Sequence, residues 1–420
     1  MQNHRGAGRQ SGAIRLARFT ISASSGRVLI YSHDSFGLGH IRRCRTIAHA
    51  LAGAFPKLKV LIVSGSPIIG RFDFKTRVDF VRVPGIIKLR NGDYVPLGDH
   101  GSIQETTALR SSLITETALK FAPDVFIVDK EPLGLRGELE GTLDALKGRG
   151  TRLVLGLRDV LDESETLAAE WRRKRAIPAV EQLYDDLWVY GLKAIYDPLQ
   201  GLGLSADVAR KTTFTGYLRR TRPAARSESE IEGLSERILV TPGGGGDGEL
   251  LIDWVIGAYE REARGLAPGL IVLGPFMRAE ARAAFERRAA AIPSLRVLTF
   301  EPRMEHLMAA CLAAASMGGY NTFCEILSFD KRALIVPRHT PRMEQTIRAE
   351  AAQRLGLTQI LAEPREGAPP DIDAMVVALK ALPQQPLPSV RAAPGLLDGL
   401  ERVVADCGQW LGREPAASQA

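Results

Sequence analysis

The sequence predicts an α/β protein made of two doubly wound domains that face a central cleft. Short apolar runs without polar alternation recur along the 420 residues, and each is followed by a turn and a helical pattern. Such runs are typical of parallel strands covered by helices on both faces. With 45% hydrophobic residues, the chain is long enough to bury two cores. The predicted strands are RVLIY, KVLIV, DVFIV and RLVLGL in the first half, and RILVTP, GLIVLG and RALIVP in the second.

A break in this series divides the chain. Residues 219–230 read RRTRPAARSESE, and their proline, serine and charged residues favour a linker. The predicted first domain is 27–218 and the second is 231–393. Residues 1–26 are predicted to be a disordered basic tail, with a transit peptide as the alternative. Residues 394–412 have helical spacing and predict a closing helix that packs back on the first domain.

Composition narrows the choice of partners and compartment. The formal net charge is +7, which suits phosphorylated ligands, anionic lipid or polyanions. The four cysteines lie far apart without metal-ligand spacing, so a reducing cytosol is the expected location. No apolar run reaches the roughly 20 residues of a membrane span. Aromatic residues make up only 6% and are dispersed, which argues against a nucleic-acid partner.

The first glycine turn follows the strand RVLIY. Gly37 and Gly39 precede His40 at the start of a helical pattern whose apolar positions predict a core-facing side, leaving Arg42, Arg43 and Arg45 mostly elsewhere. A dinucleotide fingerprint would need a third glycine and an acid about 20 residues on. Ser64 stands where that acid is expected, which argues against a nicotinamide cofactor. His40 either caps this helix or faces a ligand held by the turn.

The second glycine turn lies in TPGGGGDGELL, after the strand RILV. Gly243, Gly244, Gly245 and Gly246 are consecutive, which is costly unless the backbone adopts positive φ or approaches a ligand closely. A bound diphosphate would explain them, and a flexible turn is the alternative. No Gly-Lys-Ser/Thr follows, so this is not a P-loop.

A third polar cluster lies in ASMGGYNTFCEIL. Gly318 and Gly319 precede Asn321, Thr322 and Glu325. Thr322 followed three residues later by Glu325 also fits a capping box, which would need no ligand. That alternative does not explain the glycine pair or the second cluster that follows it. Glu344 and Gln345 form that second cluster, at a predicted helix start where an acid also suits the helix dipole.

Taken in order, these motifs resemble the GT-B glycosyltransferases, over roughly residues 27–360. The resemblance is strongest to the branch with the lipid-linked peptidoglycan N-acetylglucosaminyltransferase and the diacylglycerol galactosyltransferases. It implies two Rossmann-like domains and inverting, metal-independent transfer of a sugar from a nucleotide diphosphate sugar, with UDP favoured. The implied acceptor is a hydroxyl on a glycan or a lipid-linked molecule, and no cofactor is implied beyond the donor substrate.

The same resemblance assigns donor-binding positions. Phe300 lies where the family's nucleobase-contacting loop begins, Glu325 matches a residue that holds the ribose hydroxyls, and Gln345 matches one that reads sugar hydroxyls. Gly37, Gly39 and His40 match the family's first glycine loop, and Gly243 to Gly246 match its second. Gly318, Gly319, Thr322 and Glu325 match its nucleotide-sugar signature, and Asn321 and Glu344 lie beside the matched residues.

An inverting transfer requires a base for the acceptor hydroxyl, and His40 suits that role. A carboxylate would orient its ring, with Asp129 at the end of DVFIV as first candidate and Asp34 as second. Either acid could instead be a solvated turn residue. Backbone N–H groups of the second glycine turn would meet the charge of the leaving diphosphate, so no metal ligand is predicted.

Two other functions stay open at this point. The first loop reads Phe-Gly-Leu-Gly-His rather than a denser glycine run, and GLGHIRRC also looks like the UDP-sugar hydrolases of the pseudaminic acid pathway, whose matching histidine activates water. A nucleotide-sugar-binding module without catalysis is the second alternative.

Peripheral contact with an anionic membrane is expected from the segment between residues 66 and 92. In the resembling family an apolar patch rimmed by basic residues meets lipid, and this segment has that composition, although ordinary strands and loops would explain it too. Its apolar residues are Ile68, Ile69, Phe72, Phe74, Ile86, Ile87 and Leu89, and its basic residues are Arg71, Lys75, Arg77, Lys88 and Arg90.

Overall fold

The computed structural model describes residues 26–33, 38–88, 93–98, 101–222, 233–244, 246–301, 303–364 and 369–412. Most of the predicted tail and of the predicted linker lies outside these ranges. So do three predicted site residues, Asp34, Gly37 and Gly245.

The first domain is built on a seven-stranded parallel sheet with the order β3-β2-β1-β6-β7-β8-β9. A short antiparallel hairpin, β4 and β5, lies outside it. The strands are β1 Arg27–Ser32, β2 Lys59–Ser64, β3 Val78–Arg82, β4 Ile86–Lys88, β5 Tyr94–Pro96, β6 Val125–Asp129, β7 Arg152–Arg158, β8 Asp186–Tyr190 and β9 Thr212–Phe214.

The second domain repeats this plan with a six-stranded parallel sheet in the order β12-β11-β10-β13-β14-β15. Its strands are β10 Ile238–Thr241, β11 Gly269–Val272, β12 Leu295–Leu298, β13 Ala313–Ser316, β14 Arg332–Ile335 and β15 Gln359–Ile360. In both sheets the strand order reverses beside the first strand, and ligands of such sheets bind beyond the strands' carboxyl ends at that point.

Helices cover both sheets, and helices, strand ends and turns together supply the residues of the cleft. In the first domain they are α1 Gly39–Ala54, α2 Ile103–Phe121, α3 Glu140–Lys147, α4 Ser164–Arg173, α5 Ala176–Gln182 and α6 Ala206–Arg210. Those that follow are α7 Glu249–Glu262, α8 Ala279–Ala290, α9 Met304–Ala310, α10 Tyr320–Ser328, α11 Glu344–Arg354, α12 Ile372–Ala381 and α13 Gly399–Leu411.

The two domains share buried contacts. Tyr320 and Phe323 of α10 belong to the same apolar cluster as Ile41 of α1. The C-terminal helix α13 returns to the first domain, where Trp410 stacks on Trp188 with ring centroids 5.5 Å apart. These contacts fix the sides of the cleft relative to each other.

Candidate active site

His40 lies in the first turn of α1, and Asp129 holds its ring. The Nδ1 atom of His40 is 2.5 Å from Oδ2 of Asp129, which ends β6. The cap residue of α1 is Leu38, and no side chain caps that helix, so the capping alternative for His40 is wrong. With Nδ1 directed at a carboxylate, Nε2 is the ring atom that can accept a proton.

Arg43 binds the same carboxylate of Asp129. Its Nε donates to Oδ1 of Asp129 at 2.7 Å, and its NH2 donates to Oδ2 at 2.8 Å. Burial raises the pKa of Asp129, but Arg43 and then His40 outweigh it and hold that pKa well below its ordinary value. Arg43 is only 1% exposed, so the expectation that it lies away from the core is wrong.

His40 is neutral at physiological pH. Burial lowers its pKa to about 4 despite the opposing effect of Asp129, and the positive charges of Arg43 and Lys130 add to the lowering. Its Nε2 has no hydrogen-bond partner among the described residues, and a neutral imidazole of this kind is the form that accepts a proton.

A cavity of about 250 Å³ opens between the two sheets, and His40 lines its first-domain wall. Most of the predicted donor residues meet here, although the first and last of them, Gly39 and Gln345, are 306 positions apart in the chain. Those that line the cavity are Gly39, Gly243, Gly244, Phe300, Gly319, Asn321, Thr322, Glu325, Glu344 and Gln345.

Two predicted donor residues do not reach this cavity. Gly246 lines a separate surface depression beside the start of α7. Gly318 has φ +73°, and a Cβ there would lie 2.7 Å from Ile335, so backbone shape and packing explain this glycine without a ligand.

The turn before α7 presents unobstructed backbone to the cavity. Gly243 has φ +92°, a conformation that side chains rarely adopt. A Cβ on Gly244 would meet only the ring edge of Phe276, at 3.6 Å. The turn runs into the N-terminus of α7, where unpaired N–H groups and the helix dipole favour an anion.

Glu325 is tied to the first domain. Helix α10 begins after Gly319 without a side-chain cap, so the capping-box alternative for Thr322 and Glu325 is wrong. Glu325 is 1% exposed and accepts a hydrogen bond from NH2 of Arg42. That same NH2 donates to Glu305 at 2.7 Å. A ribose bound at Glu325 would therefore share its carboxylate with Arg42.

The second polar cluster surrounds Arg338. Helix α11 begins at Glu344, as the sequence predicts. NH2 of Arg338 donates to Oε1 of Glu344 at 2.8 Å, and the backbone N–H of Arg338 donates to Oε1 of Gln345 at 3.2 Å. The other carboxylate oxygen of Glu344 is buried without a hydrogen-bond partner among the described residues, so it can accept a hydrogen bond from a ligand.

Arg158 is a site residue that the sequence analysis missed. It ends β7 and lines the cavity, and its Nε is buried with no partner in the described part of the chain. Burial lowers its pKa to about 10 against the effect of Glu344, and Arg43 and Arg348 add to the lowering. Its position at the carboxyl end of a strand, like that of Asp129, was the available signal.

His33 was missed as well. It follows β1 directly, and its ring centroid lies 5.6 Å from that of His40. Its Nδ1 is buried without a hydrogen-bond partner among the described residues. His33 lines a second cavity of about 380 Å³, formed by the first domain alone. His40 thus lines the interdomain cavity, and its ring contacts a residue of this first-domain cavity.

Two residues of the predicted apolar patch for membrane contact are buried, and the other described ones are half-buried. Ile69 and Ile86 are 1% and 3% exposed, and Phe72 and Phe74 pack against the same interior. Leu89 and Arg90 lie outside the described residues. No helix in the described ranges is long and apolar enough to cross a membrane. The same ranges contain no group of three or more His, Cys, Asp or Glu residues placed to hold a metal ion.

Solved structures share this two-domain architecture. The calicheamicin glycosyltransferase CalG4 gives a TM-score of 0.57 at 13% identity, covering 93% of this chain and 99% of that one. MurG from Acinetobacter baumannii gives 0.56 at 14% identity, with 91% and 99% covered. UDP-GlcNAc 2-epimerase from Neisseria meningitidis, bound to UDP-GlcNAc, gives 0.58 at 12% identity, with 91% and 99% covered. No protein-family model and no curated protein matches the sequence.

These similarities establish the fold. The chain has the GT-B architecture of two parallel-sheet α/β domains, so the predicted fold class is confirmed. The enzymes that share it catalyse different reactions, and the reaction of this chain has to be argued from its own side chains.

Proposed function

We propose that the chain is an inverting glycosyltransferase of the hexosyltransferase class. It would move a sugar from a nucleotide diphosphate sugar, with UDP favoured, to an acceptor hydroxyl. The observation that carries this proposal is that His40, held by Asp129, lines the interdomain cavity and lies next to His33, which lines the first-domain cavity. Solved neighbours of the same fold bind UDP-GlcNAc and dTDP, which supports a nucleotide diphosphate as part of the donor.

In the proposed reaction the acceptor oxygen attacks the anomeric carbon of the sugar. The bond from that carbon to the diphosphate oxygen breaks, and the nucleotide diphosphate leaves with the electron pair. The acceptor proton passes to Nε2 of His40, while Nδ1–H of the resulting imidazolium stays bonded to Asp129. Attack on the face opposite the leaving group inverts the anomeric configuration.

Fixed positive charge would stabilise the leaving diphosphate. Arg158 lines the cleft from the first domain, and Arg338, which forms ion pairs with Asp247 and Glu344, lines it from the second. Backbone N–H groups at Gly243 and Gly244, with the N-terminus of α7, add oriented dipoles. These groups support a mechanism that needs no metal ion, so turnover should persist in EDTA. Loss of turnover that magnesium or manganese restores would contradict that part of the proposal.

The remaining cleft residues would recognise the donor. Phe300 is 41% exposed at the cavity wall and can stack on a nucleobase. Glu325 is the proposed ribose ligand. The unpartnered oxygen of Glu344, with Gln345 beside it, can bind sugar hydroxyls.

The acceptor would occupy the first-domain cavity. Its lining carries both charges, so the cavity offers hydrogen-bond donors and acceptors to a polar glycan or lipid-linked acceptor; the charged lining residues are Arg136, Arg173, Lys174, Arg175, Asp93, Glu131 and Glu140. Peripheral contact with an anionic membrane and a cytosolic location remain parts of this proposal.

Product analysis tests the proposed reaction. A transferase should join the sugar to an added acceptor and consume the donor slowly without one. Rapid release of free sugar in acceptor-free buffer would instead assign the hydrolase alternative, in which His40 activates water. Binding of nucleotide sugar without any turnover across an acceptor panel would indicate a binding module.

A further inference from the structure

We propose a second ligand site, for a phosphate-bearing anion, in a cationic cavity at the junction of the two domains. The cavity holds about 530 Å³ and is formed by α1, the segment after β2, the start of the linker and the beginning of α9. It adjoins the donor cleft but is distinct from it, since Phe72 alone lines both. The site does not depend on the reaction proposed above.

The lining has a large excess of positive charge. Among the described residues, no carboxylate forms an ion pair with Arg71, Arg222 or Arg303. Glu305, one of two acids among the described lining residues, is already bound to Arg42 at 2.7 Å. The lining cations are Arg45, Arg71, Lys75, Arg220, Arg222 and Arg303, and the lining carboxylates are Asp73 and Glu305.

The cavity is built by ordered side chains. Arg220 is only 6% exposed, and its NH2 donates to Oδ1 of Asn321 at 2.6 Å, while NH1 donates to Thr46. The Nε of Arg220 is buried with no hydrogen-bond partner among the described residues. Arg45 donates from Nε to the carbonyl of Asp73 at 2.7 Å. The guanidinium and ammonium groups that line the cavity are the N–H donors that an acceptor-rich ligand requires.

The positive potential here affects a neighbouring histidine. Burial lowers the pKa of His49 to about 4, and Arg45 and Lys75 add to this effect. Guanidinium groups bind phosphate through paired N–H donors, and phosphate has the oxygens to bridge several of them. The ligand is therefore assigned to the phosphate class, with a soluble phosphate compound or a lipid headgroup as its source.

The site connects to the donor cleft through one face of α1. Arg42 lines the cleft, and Arg45, Thr46 and His49 follow at spacings of three, four and seven residues, which places them on the same helical face. Because first-domain, linker and second-domain residues all line the cavity, a bound anion would bridge the two domains.

Calorimetric titration of the full chain with inorganic pyrophosphate, in saturating UDP to fill the donor cleft, tests the proposal. We expect binding that weakens as salt rises. The variant Arg45→Gln/Arg71→Gln should lose about tenfold in affinity or more, since two charge-assisted contacts are removed. Arg303→Gln tests the same cavity from the second domain. Arg287→Gln, on the exposed side of α8, is the matched control and should bind as the wild type does.

A vesicle arm distinguishes the two sources. A lipid headgroup would be assigned if the protein sediments with phosphatidylglycerol vesicles but not with vesicles of phosphatidylcholine alone. The variant Arg45→Gln/Arg71→Gln should then lose this sedimentation. Pyrophosphate binding without vesicle binding would assign a soluble phosphate compound. Absence of binding to either probe at millimolar concentration, or equal binding by the double variant and the control, would overturn the proposal. If UDP itself does not bind, the same variants titrated without UDP still decide the question.

Discussion

The chemistry at the residue scale rests on a histidine kept neutral by its surroundings. Asp129 orients the ring of His40, but Arg43 binds the same carboxylate through two hydrogen bonds. Because Arg43 neutralises Asp129, the carboxylate directs the ring without making it strongly basic. Burial then sets the protonation state.

The pH dependence of kcat/KM should show this shift. The pKa of His40 is lowered from 6.5 to about 4, so the free enzyme should keep its base form down to about pH 5. Activity should then fall as the pH drops through about 4. Because the native histidine binds a proton less readily than the unfolded one, the stability from its burial is lost between pH 6.5 and about 4. Circular dichroism at each pH separates unfolding from titration, and an acid limb near 6.5 would contradict this account.

At the scale of elements, the cleft contains two glycine pairs, Gly243–Gly244 and Gly318–Gly319, whose members have the same two roles. Gly243 and Gly318 have positive φ and make the turns. The residues after them, Gly244 and Gly319, have no positive φ and line the cavity. In each pair the first glycine shapes the backbone and the second leaves space for a ligand.

Gly319→Leu should therefore block the donor site without disturbing the fold. Gly319 precedes α10 with φ −57°, and a Cβ there would meet no heavy atom within 4 Å. UDP affinity should fall tenfold or more, an effect of about 1.4 kcal/mol or larger, with little change in melting temperature. The control is Gly141→Leu, at an exposed helical position that also has open space. Equal UDP affinity in both variants, measured by calorimetry, would show that the nucleotide does not occupy this part of the cleft.

At the scale of the whole molecule, a buried ion pair connects the two domains. Arg348 of α11 donates to both carboxylate oxygens of Asp159, at 2.7 and 2.6 Å, and each side chain is 1% exposed. Arg348 also donates to the carbonyl of Gly318, and Tyr217 donates to Asp159. This network links the nucleotide-side glycine turn to the first domain.

Arg348→Ala should lower the free energy of unfolding by about 3–5 kcal/mol, because it leaves the Asp159 carboxylate buried without its cation. The exposed pair of Arg210 and Asp207 offers a matched comparison, and Arg210→Ala should cost about 0–1 kcal/mol. Urea denaturation of the two variants measures the difference. Similar losses in both would mean that the interdomain pair contributes little to the folded state.

The strands that the sequence revealed were those with continuous runs of Val, Ile and Leu. β13 was missed because Ala313, Ala314 and Ala315 have little β-propensity, and pairing with β10 and β14 overrides their helical preference. β15 has only two residues, Gln359 and Ile360, too few for any periodic signal. Tertiary pairing, which no local pattern reports, decides both.

Local motifs predicted the polar groups of the cleft but not their partners. His40 and Asp129 could be paired in advance because His40 follows the glycine turn after one predicted parallel strand and Asp129 ends another. Arg158 and His33 have the same kind of position and could have been found by the same rule. The contact of Glu325 with Arg42 spans 283 positions and depends on how the two domains meet, so the sequence alone could not show it.

The central claim, that His40 removes the acceptor proton, is tested most directly by the turnover of His40→Ala, with UDP affinity measured on the same sample. Turnover should fall by about 10²–10⁴-fold, the usual contribution of a positioned base, while UDP affinity and melting temperature change little. Turnover close to that of the wild type would contradict the claim. Joint loss of folding, UDP binding and turnover would instead assign His40 a structural role.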